Sequence, residues 1–284
     1  MKISIVIPCF NATQTLPLQL EALANQEYSH PWEVIISDNG STDNTEAIAQ
    51  QFQEKIPNLR IIGAATIKGA AHARNVGALA ATGEAILFCD ADDEVAPRWI
   101  EAMAEALAKY DFVAGCMECT KLNEKWVQKS RFFPQQSDDF PKYGLMHMAA
   151  SCNLGIKRSL HEKINGFDES IPAGGEDDDY CLRLQQIGIS LHFVPTAAIH
   201  YRFRDSFYGI YQQSYSYAKT EILVYQRHKH RGVVAPVSWK SLIRRLIFLP
   251  AKLLKVRDRG DLAKWLWDLG ELVGRSQGYF KYMI

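Results

Sequence analysis

Five short apolar runs, each followed by a polar turn and most by a helix-forming stretch, recur through the first 116 residues. Residues 3–7 are a β-branched run that Pro8 ends, which suits a buried parallel strand. Residues 33–37, 59–62, 85–89 and 111–116 repeat the pattern. Between them, residues 13–25 space Leu16, Leu20 and Leu23 as a helix does. Asp43 stands where it caps a helix running through Gln51. Residues 70–81 are small and helix-forming, and 97–110 make a helix with proline in its first turn. Strand–helix units at this spacing predict an α/β fold with a doubly wound, mostly parallel sheet flanked by helices. Ligands on such sheets bind at the carboxyl ends of the strands. Asn11, Asp38 and Asp90 follow the first, second and fourth runs, so polar chemistry gathers there.

Residues 117–143 are polar and irregular and read as a connecting excursion. The alternation resumes with a strand at 153–156, a helix at 158–164 and the turn Asn165-Gly166-Phe167-Asp168. Gly174-Gly175 precedes a helix at 176–187. Short strands at 191–194 and 197–201 follow, then a long tyrosine-rich helix at 207–227. After Gly232 the chain becomes a basic and apolar helical tail.

With 284 residues, 47% of them hydrophobic, the chain has enough apolar surface for one large domain with a helical tail. A formal net charge of +0 excludes a global field that would draw nucleic acid, so no nucleic-acid partner is expected. The six cysteines are scattered and read as reduced, buried thiols. Cys116 and Cys119 form a C-x-x-C pair without a second pair at zinc spacing. The N-terminal apolar run is too short for a signal peptide, and no uncharged stretch approaches the ~20 residues of a membrane span. The expected location is the cytoplasm or the inner face of the cell membrane.

Five segments carry chemistry. In Cys89-Asp90-Ala91-Asp92-Asp93 a buried strand delivers carboxylates at its end, and Asp90 and Asp92 point the same way in an extended segment. Hard oxygen ligands at that spacing suit Mg²⁺ or Mn²⁺; a solvated acidic turn is the bland alternative. In Ser37-Asp38-Asn39-Gly40-Ser41-Thr42-Asp43, Asp38 is placed to accept from the N–H of a base ring, and Asn39-Gly40 allows positive φ; taken by itself the segment reads better as an ordinary turn with Ser41 or Asp43 as N-cap. Arg74 and Asn75, near the start of a small-residue helix, reach for a phosphate or ribose. Gly174-Gly175-Glu176-Asp177-Asp178-Asp179 crowds four carboxylates at a helix start, one of them available as a general base. His200 closes a strand and becomes a candidate metal ligand only beside an aspartate pair.

The order of these pieces resembles the inverting family 2 glycosyltransferases with the GT-A fold, from Ile3 to about Arg202. The resemblance rests on Ser4-Ile5-Val6-Ile7-Pro8-Cys9-Phe10-Asn11, the Ser37–Asp43 turn, Ala73-Arg74-Asn75-x-Gly77, and Ala81-Thr82-Gly83-Glu84. Asp90-Ala91-Asp92-Asp93, Gly166-Phe167-Asp168-Glu169 and Gly175-Glu176-Asp177 complete it. It implies a GT-A domain over 1–205, with a donor half at about 1–116 and an acceptor half at about 117–205, and a helical extension over 206–284. Asp38 would recognise the nucleotide base, with Pro8 and Phe10 shaping that pocket and Asn11, Asn39, Arg74, Asn75, Asp90 and Ala91 completing the donor site. Asp92, with Asp90 and His200, would hold Mn²⁺ or Mg²⁺. Asp177 would deprotonate the acceptor hydroxyl, supported by Glu176, with Gly174, Gly175 and Asn153 on the acceptor side. Asn165 departs from the glycine usual before Gly166-Phe167, and the run Asp177-Asp178-Asp179 leaves the base assignment open.

The implied reaction inverts the anomeric centre of a nucleotide-diphosphate sugar. A uridine-diphosphate sugar is the commonest donor of such enzymes, and the acceptor is a glycan or lipid-linked sugar. Nucleotidyl transfer on a related fold usually shows a Gly-rich basic loop after the first strand, where this chain reads Cys9-Phe10-Asn11-Ala12-Thr13. A non-catalytic sugar-binding scaffold would have lost Asp92 or Asp177, and both are present. In the tail, residues 239–257 mix basic and apolar side chains. One helix face there either lies in a membrane interface or packs on the core with its cations solvated.

Overall fold

The computed structural model describes residues 1–131, 142–143 and 146–283. Strand β1 (Ile3–Cys9), helix α1 (Leu16–Ala24), β2 (Trp32–Asp38), α2 (Thr45–Gln51), β3 (Leu59–Gly63), α3 (Ala70–Ala80) and β4 (Ala85–Cys89) realise the alternation. The chain continues through β5 (Glu94–Val95), α4 (Trp99–Leu107), β6 (Phe112–Glu118), α5 (Lys125–Gln128), β7 (Lys142–Tyr143), β8 (Met146–His147) and β9 (Asn153–Lys157). Then come α6 (Arg158–Lys163), α7 (Glu176–Gln186), β10 (His192–His200), α8 (Phe207–His228), α9 (Trp239–Leu253) and α10 (Arg259–Tyr282). Residues 132–141 of the polar excursion lie outside the described residues.

Eight strands form one sheet in the order β3-β2-β1-β4-β9-β6-β10-β5. Strand β1 pairs in parallel with β2 and β4, β2 with β3, and β6 with β10. Only β9 and the short edge strand β5 run the other way. The central strands are mostly apolar because both faces of the sheet are covered. Ile3, Ile5 and Ile7 of β1 pack with Leu16 and Leu20 of α1 on one face. Val6 faces the other side, in a core that also holds Phe88, Phe112 and Tyr180. Full burial stabilises each such side chain by roughly 1.5–3 kcal/mol. Gly77 lets α3 press on the sheet, since a Cβ there would stand 2.4 Å from the Val6 side chain.

Helix α4 starts at Trp99, so Pro97 precedes it instead of sitting in its first turn, and α1 and β10 also differ from the sequence expectation. Helix α1 starts at Leu16 rather than Thr13, because the Ala12 and Thr13 N–H groups donate to Thr45 and Asp43 instead. The two strands expected at 191–194 and 197–201 are one strand, β10, with an irregularity between Val194 and Ala198. Pro195, which has no N–H for the ladder, sits in that gap. Helix α9 runs on through Pro250 to Leu253.

The tail packs on the rest of the molecule. Gly270, Gly274 and Gly278 line one stripe of α10, and Cβ atoms there would stand 2.6, 2.2 and 2.9 Å from the carbonyl oxygens of Tyr211, Tyr215 and Lys219 in α8. Arg275 of α10 pairs with Glu221 of α8 at 2.9 Å. Helix α9 is held to α10 by Arg245–Glu271 at 2.8 Å and Lys252–Asp268 at 2.9 Å. Among the described residues, no helix is long and apolar enough to cross a membrane.

Candidate active site

A cleft of about 1020 Å³ opens at the carboxyl ends of β1 and β4. Pro8, Phe10, Asn11, Asn39, Arg74, Asp90, Ala91 and Asp92 all line it, so the sequence candidates from four separate segments converge there. Phe10 is 53% exposed, an aromatic ring presented to the opening. Asn11 adopts φ 50°, and its N–H donates to Ser41 Oγ at 2.9 Å while its Oδ1 accepts from the Thr42 N–H at 2.8 Å. The turns after β1 and β2 are thereby stitched together. Asn39 is buried; its Oδ1 accepts from the Gly69 N–H at 2.8 Å and its amide donates to the Ala64 and Ile67 carbonyls. It fixes the loop that starts α3. Asp38 is not among the cleft-lining residues; its carboxylate accepts from the N–H groups of Gly40 (3.2 Å) and Ser41 (3.1 Å).

The acidic turn after β4 is crowded. Asp90 accepts from Arg74 Nη2 at 2.8 Å, and Asp92 pairs with Arg204 at 3.2 Å. Asp93 is buried, with Oδ1 accepting from the Arg202 N–H at 2.8 Å and Oδ2 without a hydrogen-bond partner. Burial first, then Asp92 and Asp90, push the Asp93 carboxyl well up. Burial and Asp90 likewise raise Asp92, against the pull of Arg204. Ligand atoms of Asp90, Asp93 and Cys152 lie within 4.8 Å of one another. Asp90 and Asp93 offer hard oxygens, one of them unsatisfied, that fit a hard divalent cation, whereas Asp92 and His200, the other expected ligands, are not in this group. The Cys152 thiol, held protonated by burial and by Asp93, does not.

Arg74 joins this turn to the start of α7. It is buried, and besides Asp90 it reaches Glu176 at 3.4 Å and Asp177 at 3.9 Å. Burial opposes its charge, but Asp90, Asp177 and Glu176 outweigh that and hold the guanidinium firmly protonated. Glu176 folds back so that Oε2 accepts from the N–H groups of Gly174 (2.7 Å) and Gly175 (3.1 Å). Gly174 takes φ +100°, and a Cβ there would lie 2.3 Å from the Tyr217 ring of α8. Asp177 Oδ2 accepts from the Ser151 N–H at 3.1 Å, while Oδ1 is buried without a hydrogen-bond partner. Burial and the neighbouring Glu176 push the Asp177 carboxyl up to about 6, against Arg74. Asp179 is held separately by an ion pair with Arg183 at 2.6 Å and a hydrogen bond with His228 at 2.8 Å.

Other candidates sit apart. Asn75 spends its amide on the Phe167 backbone and Glu169, tying α3 to the 166–169 turn rather than facing the cleft. Asn153, expected on the acceptor side, is buried, accepts from Trp99 Nε1 at 2.8 Å and donates to the Cys116 and Ala197 carbonyls. His200 hydrogen-bonds Glu118 at 2.8 Å and is not among the cleft-lining residues. Glu176 lines a smaller neighbouring cleft of about 220 Å³ with His72 and Glu169. The sequence reading missed Arg204 and Lys68, which line the main cleft, and Ser151. The alternation Arg202-Phe203-Arg204 was a readable signal for two cations on one side of an extended segment. The Ser151 N–H left none.

With this geometry in place, the comparisons give the class. The model for glycosyl transferase family 2 matches residues 4–165, and that for glycosyl transferase family group 2 matches residues 85–267. The chain belongs to glycosyltransferase family 2. It is similar to glycosyltransferase AglE of Haloferax volcanii, 28% identical over 199 residues, which are 67% of this chain and 64% of the relative. Across the first three curated relatives the chain spans from 33% to 64% of their length. Among solved structures, the mannosyltransferase PcManGT from Pyrobaculum calidifontis, in complex with GDP-Man and Mn²⁺, superposes with a TM-score of 0.66. That match is 17% identical and covers 96% of this chain and 86% of the other. S. aureus TarS 1-349 superposes with a TM-score of 0.59 at 20% identity, covering 100% and 91%. The fold is the GT-A α/β fold of these glycosyltransferases.

Proposed function

We propose that this chain moves a sugar from a nucleotide-diphosphate sugar to an acceptor hydroxyl in a single inverting displacement. The observation that carries this reading is the bridge made by Arg74. One buried cation joins the acidic turn of the donor cleft to a carboxylate on α7 whose Oδ1 is buried and unsatisfied. Asp177 takes the proton from the attacking acceptor oxygen, and a carboxyl held near 6 suits that task at neutral pH. Glu176 holds the Gly174-Gly175 turn beside it. Phe10 and Pro8 flank the nucleotide base, and Asp38 keeps lone pairs free for a base N–H. Asp90 and Asp92 are the residues that would hold Mn²⁺ or Mg²⁺. A bound cation would offset the charge of the diphosphate. Likeness to proteins solved with GDP-Man and Mn²⁺ or with UDP-GlcNAc supports this donor class. In this reading 1–116 is the donor half, 117–205 the acceptor half and 206–284 a helical extension. The acceptor is a glycan or lipid-linked sugar, met at a membrane surface through residues 239–257.

The test is a thermal-shift screen of nucleoside diphosphates with and without Mn²⁺, on the wild type and on Asp92→Ala. A nucleotide that binds the folded state raises the midpoint by mass action, about 2.7 kcal/mol at a hundredfold excess over Kd. The expected result is a metal-dependent rise with one nucleotide, weakened in the variant. No rise with any nucleotide at millimolar concentration defeats the donor-site reading.

A further inference from the structure

We infer that α9 is an interfacial anchor that lays its outer face on an anionic phospholipid bilayer. This rests on the membrane-facing reading just proposed but not on the transfer chemistry. Only Leu242 and Leu249 of α9 are buried. The flank beside them exposes Ile243 (56%), Leu246 (64%) and Ile247 (65%), and Leu254 just beyond the helix is 90% exposed. At 100° per residue these four side chains fall in one stripe. A water-facing helix surface of a folded protein rarely keeps so many large aliphatics together.

Charge decides what covers the stripe. Residues 239–257 carry six lysines and arginines and no acid. Arg245 and Lys252 are engaged by Glu271 and Asp268 of α10, on the inner side. Lys240, Arg244 and Lys255 are exposed and make no ion pair with any described residue. All three project from one edge of the stripe. A second copy of the same face would set cations against cations, which disfavours self-association. Lipid phosphates meet the cations while acyl chains take up the aliphatics, the arrangement of an interfacial helix. Because α9 is clamped to α10, and α10 presses through its glycine stripe on α8, docking would set the orientation of the whole catalytic unit.

The experiment is cosedimentation of the full chain with vesicles of phosphatidylcholine alone and of phosphatidylcholine mixed with phosphatidylglycerol. Binding only to the mixed vesicles, weakening as salt rises, is expected. Replacing Lys240, Arg244 and Lys255 by Gln should cut partition by on the order of a hundredfold, about fivefold per cation. Ile247→Ser with Leu254→Ser should cut it comparably. All five positions are exposed, so an unchanged thermal midpoint certifies the fold of each variant. No binding to mixed vesicles, or equal binding to neutral ones, overturns the inference. A dimer in sedimentation velocity that Ile247→Ser with Leu254→Ser dissociates, without vesicle binding, assigns the face to a second copy instead. Nucleotide binding by the same preparation reads the transfer site independently, so the two readings fail separately.

Discussion

At the end of β4 and at the start of α7 the chain gathers carboxylates side by side, yet it neutralises them by different means. On α7 the partners are built in. Glu176 takes two backbone N–H groups and a share of Arg74, and Asp179 takes Arg183 and His228. The helix start adds its own favourable dipole. Asp177 is the carboxylate of this run with a buried oxygen that no hydrogen bond satisfies. At the β4 turn, Asp90 has Arg74, Asp92 has an exposed Arg204, and Asp93 keeps a bare buried oxygen. That turn is left short of positive charge, as a site that recruits a cation must be. In the proposed reading one cluster moves a proton and the other holds a metal.

The most damaging way to probe this contrast is Asp177→Asn. Transfer should fall by on the order of 10²–10⁴, while nucleotide-dependent thermal shifts persist. Unchanged transfer would move the base elsewhere in the run. The stability sign is opposite to that of an ordinary ion-paired acid. The folded carboxyl titrates at about 6 against an ordinary 3.8, so between those values the native state binds the extra proton. This group's contribution to stability is therefore present at low pH and lost as pH rises through about 6. The Asn variant should melt above the wild type at neutral pH, and the gap should close on acidification. Melting curves of both proteins from about pH 4 to about pH 8 check this.

How far these clusters could be read in advance follows from what makes them. The β4 turn is local: a buried strand ending in Asp90-Ala91-Asp92-Asp93 declares itself, and so does the strand–helix alternation that puts it beside β1. Pairings across the fold are not local. Nothing in the sequence joins Arg74 to Glu176, 102 positions away, or sets Ser151 under Asp177. Asn153 looked like a polar residue at a strand end, yet burial beside Trp99 made it a core fastener. Asp38 and Asn39 stand in the turn the sequence singled out, but what their side chains do depends on which backbone groups the folded loop left unpaired. The α10 glycine stripe also lies in plain sequence, and only its partner helix gave it meaning.

Arg74 tests whether the two clusters are coupled. Arg74→Met would leave Asp90, Glu176 and Asp177 facing one another without their shared cation. Removing one side of a buried ion network costs about 3–5 kcal/mol. Urea denaturation should report a loss of that order at neutral pH, with part of it recovered at low pH as the carboxyls protonate. A loss below about 1 kcal/mol would mean that water, not Arg74, balances the site.

The smallest expected effect is the most discriminating. Glu176 is the second cause, after burial, of the raised Asp177 carboxyl, and Arg74 opposes both. Glu176→Gln keeps an oxygen for the Gly174 and Gly175 N–H groups but removes the negative charge. Arg74 then acts on Asp177 with one competitor fewer, and the carboxyl should ionise more easily. The acid limb of the pH–rate profile should move to lower pH by on the order of one unit, with the plateau rate little changed. The amide nitrogen of the new side chain faces Arg74, so the thermal midpoint must be followed in parallel. A limb that stays in place would assign the Asp177 shift to burial alone. The α7 cluster would then owe its poise to the wall around Asp177 rather than to its neighbour, and Glu176 would serve only to fasten the glycine turn.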